Sequence, residues 1–128
     1  MLFKRNNRCS LLPYIREDIH GLNANDGQFY GWEISKFNIP ELWKKTKGEG
    51  IRVAVIDTGC DLTHHDLKEN MLEGKNFVEM GRPPVDRNGH GSHVAGTIAA
   101  SDNNLGMVGV APKAKIIPIK ALGDNGGG

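Results

Sequence analysis

Long apolar runs are missing from this chain. No stretch of its 128 residues approaches the roughly 18 consecutive apolar residues that a bilayer span needs, so no membrane partner is expected. An excess of charge of one sign is missing too. Sixteen basic against fifteen acidic side chains leave a net charge of +1, which argues against nucleic acid as the main partner. Cysteine is scarce: Cys9 and Cys60 stand alone, too few for a disulfide scaffold. The N-terminus starts basic, but only Leu11 and Leu12 precede Pro13. A secretory signal would need an apolar stretch of about 7–15 residues. A cytoplasmic location with free thiols is the resulting expectation. Glycine, by contrast, is abundant. Seventeen residues make about 13% of the chain, against roughly 7% in an average protein. That implies tight turns, close backbone approaches and a site built from loops.

The length suits one small domain. Residues 1–24 are weakly periodic and read as an N-terminal arm, ahead of a unit spanning residues 25–128. A helix is predicted from Asn38 onward, with Asn38 as a cap, Pro40 in the first turn, and Lys44, Lys45 and Lys47 near the negative end. Gly48 and Gly50 stop it. Residues 51–56 form a β-branched run between glycines and read as a strand buried on both faces of a parallel sheet. Residues 75–78 are a weaker strand. Residues 90–100 read as a helix of small residues with Val94 and Ile98 on one face. A last strand is expected over 114–122, although Pro118 cannot donate to a ladder. The alternation of strand, helix and strand indicates an α/β sheet with crossover helices.

Two segments carry chemistry. In Val55-Ile56-Asp57-Thr58-Gly59 a carboxylate closes a buried strand, where α/β sheets place ligands and catalytic groups. In Asn88-Gly89-His90-Gly91-Ser92-His93 a histidine between glycines opens a helix. The helix dipole there disfavours added positive charge, and a neutral imidazole is what a general base requires. Either segment alone is equally compatible with a structural role. Together they supply two parts of an aspartate–histidine–nucleophile relay, in which the carboxylate fixes tautomer and orientation and the other ring nitrogen takes a hydroxyl proton.

The stretches VAVIDTG, HHDL, NGHGSHVAGTIAAS, GMVGVAP and KIIPIKALG, in this order, resemble the first part of the catalytic domain of subtilisin-like serine peptidases. The resemblance implies the N-terminal portion of a subtilisin-like, three-layer, parallel-sheet α/β fold. It makes Asp57 and His90 the triad aspartate and histidine, and His93 a structural second histidine. Ser92 stands where threonine is usual and His65 where proline is common. Cys60 after the Asp-Thr-Gly and Leu11-Leu12-Pro13-Tyr14 near the start resemble the intracellular branch of the family. By that resemblance, residues 1–24 are a propeptide-like inhibitory arm. Also implied is a structural calcium ion, held by Asp66 and Asn103 side chains and the carbonyls of Ser101, Leu105 and Met107, with Gln28 as a further candidate. Leu122, Gly126 and Gly128 match the start of the segment that pairs with an extended polypeptide substrate.

The family's nucleophilic serine belongs to a Gly-Thr-Ser motif, and none of Ser10, Ser35, Ser92 and Ser101 lies in one. The expectation is therefore a family fragment that carries aspartate and histidine, is inactive by itself, and is poorly soluble because strand edges and apolar surface stay uncovered. Three other readings stay open. Asp57-Thr58-Gly59 is also the signature of retroviral-type aspartic proteases, which would be mostly strand. A zinc hydrolase would draw on His64, His65, Asp66, His90 and His93, but neighbouring His64 and His65 are not expected to face one ion. A non-catalytic binding remnant, an arm occupying a related peptidase, is the third.

Overall fold

The computed structural model describes residues 27–128, and the expected N-terminal arm with its Leu11-Leu12-Pro13-Tyr14 segment lies outside them. The described elements are β1 (Gln28–Phe29), α1 (Trp32–Lys36), α2 (Ile39–Trp43), β2 (Arg52–Asp57), a 3-10 turn (Lys68–Asn70), β3 (Lys75–Asn76), α3 (His90–Ala99), β4 (Gly106–Met107) and β5 (Lys115–Lys120). The main sheet has the order β2-β5-β3 and is parallel throughout. β5 is its centre. It pairs with β2 along the full strand, from Arg52 opposite Lys115 to Asp57 opposite Lys120. A separate two-stranded ladder joins β1 to β4, with Gln28 opposite Gly106.

Pro118 sits inside this central strand despite its missing donor. The Ile116 and Lys120 carbonyls accept Leu72 and Phe77 amides on the β3 side, whereas the Lys115 and Ala121 amides turn to β2. Residues of even number therefore face β3, and so does the Pro118 nitrogen. There the partner strand steps away: Met71 bridges Ile116 and Lys75 pairs with Ile119, so the partner advances four residues where β5 advances three. The bulge falls where no N–H is available.

The core lies between this sheet and α3. Val55 and Ile116 point to the helix and pack with Cys60, Leu67, Ala95, Ala99 and Ala114. Alanines on α3 let its backbone approach the strands closely. The opposite sheet face differs from expectation. Burial along β2 alternates, and Ile56 is 67% exposed. Residues 51–56 are thus covered on one face only among the described residues, which supply one helical layer and the sheet.

The helix predicted from Asn38 forms as α2, but the expected side-chain cap does not. Two short helices, α1 and α2, meet at Asn38, which takes a left-handed conformation (φ 52°) and makes no side-chain cap. Asparagine tolerates that conformation better than most residues, so it serves as a hinge instead of a cap. Pro40 does occupy the first turn of α2, as expected. Ile34 on α1 is fully buried, and the Trp43 indole donates to the Val110 carbonyl at 2.9 Å.

Candidate active site

β2 ends at Asp57 and α3 begins at His90, and the two side chains meet at this end of the sheet. His90 Nδ1 lies 2.8 Å and 2.9 Å from the two Asp57 carboxylate oxygens. An ionised carboxylate only accepts, so Nδ1 carries the proton and donates. That leaves the Nε2 lone pair as the basic site. The Asp57 side chain is 11% exposed and that of His90 46%, so the carboxylate is sheltered while the imidazole faces outward. The Thr58 amide donates to Asp57 Oδ1 at 2.7 Å and fixes the carboxylate from its strand side.

Three features set this register. Gly91 passes so close to β2's following turn that a Cβ there would overlap the Gly59 carbonyl oxygen. Gly59 itself has φ +105°, a left-handed conformation suited to glycine. The third is Asp86, which sequence reasoning missed. Its Oδ1 accepts the Asn88 and Gly89 amides, each at 2.9 Å, and the Thr58 hydroxyl at 2.9 Å. Its Oδ2 accepts the Ser92 amide at 2.9 Å and hydroxyl at 2.6 Å. Asp86 therefore caps α3, and Thr58 Oγ1 in turn accepts the Gly91 amide at 3.0 Å. Burial resists ionisation of Asp86, but donation from Ser92, Gly89 and Asn88 outweighs it and holds the carboxyl below its ordinary value. The available signal was its position four residues ahead of His90, in reach of the free amides of a helix N-terminus.

Lys120 was placed in a strand but given no role. It is buried opposite Asp57, and its ammonium donates to the Thr58 carbonyl at 2.6 Å and to Asp124 at 2.8 Å. Cys60 is not a nucleophile here: burial first, then the charges of Asp86, Asp61 and Asp57, push its thiol up to about 12. Ser92 is excluded as well, because its hydroxyl is engaged by Asp86 and the Asp61 amide.

Asp66, Asn103, Gln28 and the Ser101 and Leu105 carbonyls come together just beyond the C-terminal end of α3. Asp66 is buried. Its Oδ2 accepts the Met107 amide at 3.1 Å, and Asn103 Nδ2 lies 3.3 Å from its Oδ1. The Ser101 and Leu105 carbonyls converge on Gln28 Nε2 at 3.0 and 3.2 Å. A buried carboxylate, an amide side chain and convergent carbonyls are the oxygen donors that a hard cation takes. Leu122, Gly126 and Gly128 follow β5. The Leu122 amide donates to the Asp57 carbonyl at 3.1 Å, and Gly123 and Gly127 close a turn that contains Gly126.

His64 and His65 do not behave as expected. Their rings stack 4.5 Å apart, and with Asp66 they form a cluster whose ligand atoms lie within 4.8 Å of one another. The peptide turn drives this, since the Leu67 and Lys68 amides both return to the His64 carbonyl. His90 and His93 stand apart from that cluster, so the zinc-hydrolase constellation is not assembled.

A parallel α/β sheet that ends in a carboxylate-oriented imidazole presents two of the three parts of a hydrolytic relay. Comparison with known proteins makes the class specific: residues 48–128 match the Subtilase family, and the chain belongs to it. Similar proteins include the major intracellular serine protease of Bacillus subtilis (strain 168), 46% identical over 96% of this chain and 39% of the relative. The intracellular serine protease of Paenibacillus polymyxa is 48% identical over 74% of this chain and 30% of its own length. Subtilisin Savinase of Lederbergia lenta is 46% identical over 76% and 35%. The chain thus spans roughly a third of the length of these relatives. The aspartic-protease reading falls with this result, because α3 stands where a mostly stranded protein was required and Asp57 is engaged by His90.

Proposed function

We propose that Asp57 and His90 are the carboxylate and general base of a serine-type endopeptidase. The observation that carries this is the Nδ1 contact to Asp57, which directs Nε2 outward. In the proposed reaction Nε2 removes the proton of a serine hydroxyl as its oxygen attacks the peptide carbonyl. The imidazolium beside Asp57 then returns the proton to the leaving amine, and water repeats the cycle on the acyl-enzyme. The serine and the oxyanion donors are supplied from outside these 128 residues, so the chain by itself does not hydrolyse peptides. Polypeptide is the substrate class, met in extended form by residues around Leu122, Gly126 and Gly128. Intracellular action is proposed from the names of two relatives. Among the described residues no helix is long and apolar enough to cross a membrane.

The loop after α3 is proposed to hold calcium through Asp66, Asn103 and the carbonyls of Ser101, Leu105 and Met107, with Gln28 turning its amide oxygen inward. Such an ion supplies cross-linking charge between residues far apart in sequence and takes no part in the reaction.

A chimera tests the catalytic proposal. Residues 27–128 replace the equivalent segment of the Bacillus subtilis relative, and hydrolysis of a chromogenic peptide is followed. The chimera is expected to be active. His90→Ala is expected to lower kcat by about 10⁶-fold and Asp57→Ala by about 3 × 10⁴-fold, magnitudes carried over from subtilisin, the reference case for such substitutions. Retention of activity in either variant contradicts the assignment.

A further inference from the structure

The stacked histidines beside Asp66 belong to no step of the proposed reaction. We propose that His64, His65 and Asp66 bind one divalent transition-metal ion of the zinc class. The inference does not depend on the proteolytic reading, because it uses neither Asp57 nor His90.

The argument begins with spacing. Zinc bonds to imidazole nitrogen and carboxylate oxygen are about 2.0–2.2 Å long, and tetrahedral geometry then sets neighbouring ligand atoms about 3.3–3.5 Å apart. His65 Nε2 and Asp66 Oδ1 are 3.3 Å apart. An ion seated between them takes a lone pair from each. The third ligand atom belongs to His64 and lies within 4.8 Å of the other two, so it has at most about 1.5 Å to close. Its Nδ1 lone pair points at the Asp66 amide, 3.2 Å away, a weak contact that exchanges readily for a metal bond. Both rings are exposed and turn without disturbing the core, whereas the carboxylate is buried and already oriented by the Met107 amide. One fixed anionic ligand and two mobile imidazoles make a site completed by water in the fourth position.

Ligand chemistry selects the ion class. Imidazole favours zinc, copper and nickel over calcium and magnesium, which take oxygen.

Tag-free 128-residue chain, dialysed against zinc chloride in calcium-free buffer, tests the proposal. Calcium is left out because the loop proposed to hold it also uses Asp66. One zinc per chain is expected at low micromolar concentration. Losing an outer partner of a metal ligand alone costs about 10–100-fold in affinity, so His64→Gln and His65→Gln are each expected to weaken binding at least tenfold. His93→Gln, on the exposed side of α3, is expected to bind as the parent does. Imidazole resonances of His64 and His65 should be those that move first when zinc is added. Both substitutions are at exposed positions, and unchanged circular dichroism verifies the fold. Stoichiometric zinc that survives both substitutions overturns the proposal, as does no binding at about a hundredfold higher zinc.

Discussion

Asp57 and His90 were legible as residues because each stands in a short motif with its own chemical logic. Asp86 was not, because a capping carboxylate is defined by the amides around it and not by its neighbours in sequence. Its position now carries a pH prediction. Asp86 has a lowered value in the fold, so its contribution to stability is complete above the ordinary aspartate range, near about 3.9, and is lost as pH falls through the folded value. Urea unfolding is therefore expected to show the parent losing stability on acidification below about pH 4, and Asp86→Asn losing less. At neutral pH the same substitution is expected to cost about 1–3 kcal/mol, since it weakens charge-assisted bonds to Ser92, Gly89 and Asn88. An unchanged unfolding midpoint at pH 7 would count against the role given to Asp86.

Elements were read with uneven success, and the misses share a cause. β2 and β5 are apolar, β-branched runs and α3 is a run of small residues opened by a glycine, and all three form close to where expected. β3 forms within the weaker strand expected at 75–78, whereas α1 and the two-residue β1 and β4 have too few residues to show a period. Their positions follow from long-range contacts, such as Gln28 with the Ser101 and Leu105 carbonyls. That ladder also bears on calcium. An ion bound by the folded loop and not by the unfolded chain adds about 2.7 kcal/mol at a hundredfold excess over its Kd. Calcium is expected to raise the thermal midpoint of the parent and to leave that of Asp66→Asn unmoved. Equal shifts in both would place the ion elsewhere.

Across the whole molecule the two sheet faces contrast. The α3 side is a packed core, while the other side leaves Ile56 exposed in this chain. Alternating burial along β2 was not legible, because a continuous apolar run reads as buried on both faces. Two isoleucines of the same sheet should therefore respond differently. Ile116, fully buried against α3, is expected to cost about 2–5 kcal/mol as Ile116→Ala. Ile56→Thr should stay within about 0.5 kcal/mol in denaturant and reduce self-association in sedimentation. Equal losses from both would mean that the open face is covered by something in solution.

The central claim is that the Asp57 carboxylate holds His90 by its Nδ1 proton and presents Nε2 as a base. Two-bond proton–nitrogen correlation spectra of the imidazole report this tautomer directly. At neutral pH His90 is expected to carry its proton on Nδ1, and Asp57→Ala is expected to remove that preference. A proton on Nε2 in the parent, or a tautomer indifferent to Asp57→Ala, would contradict the account.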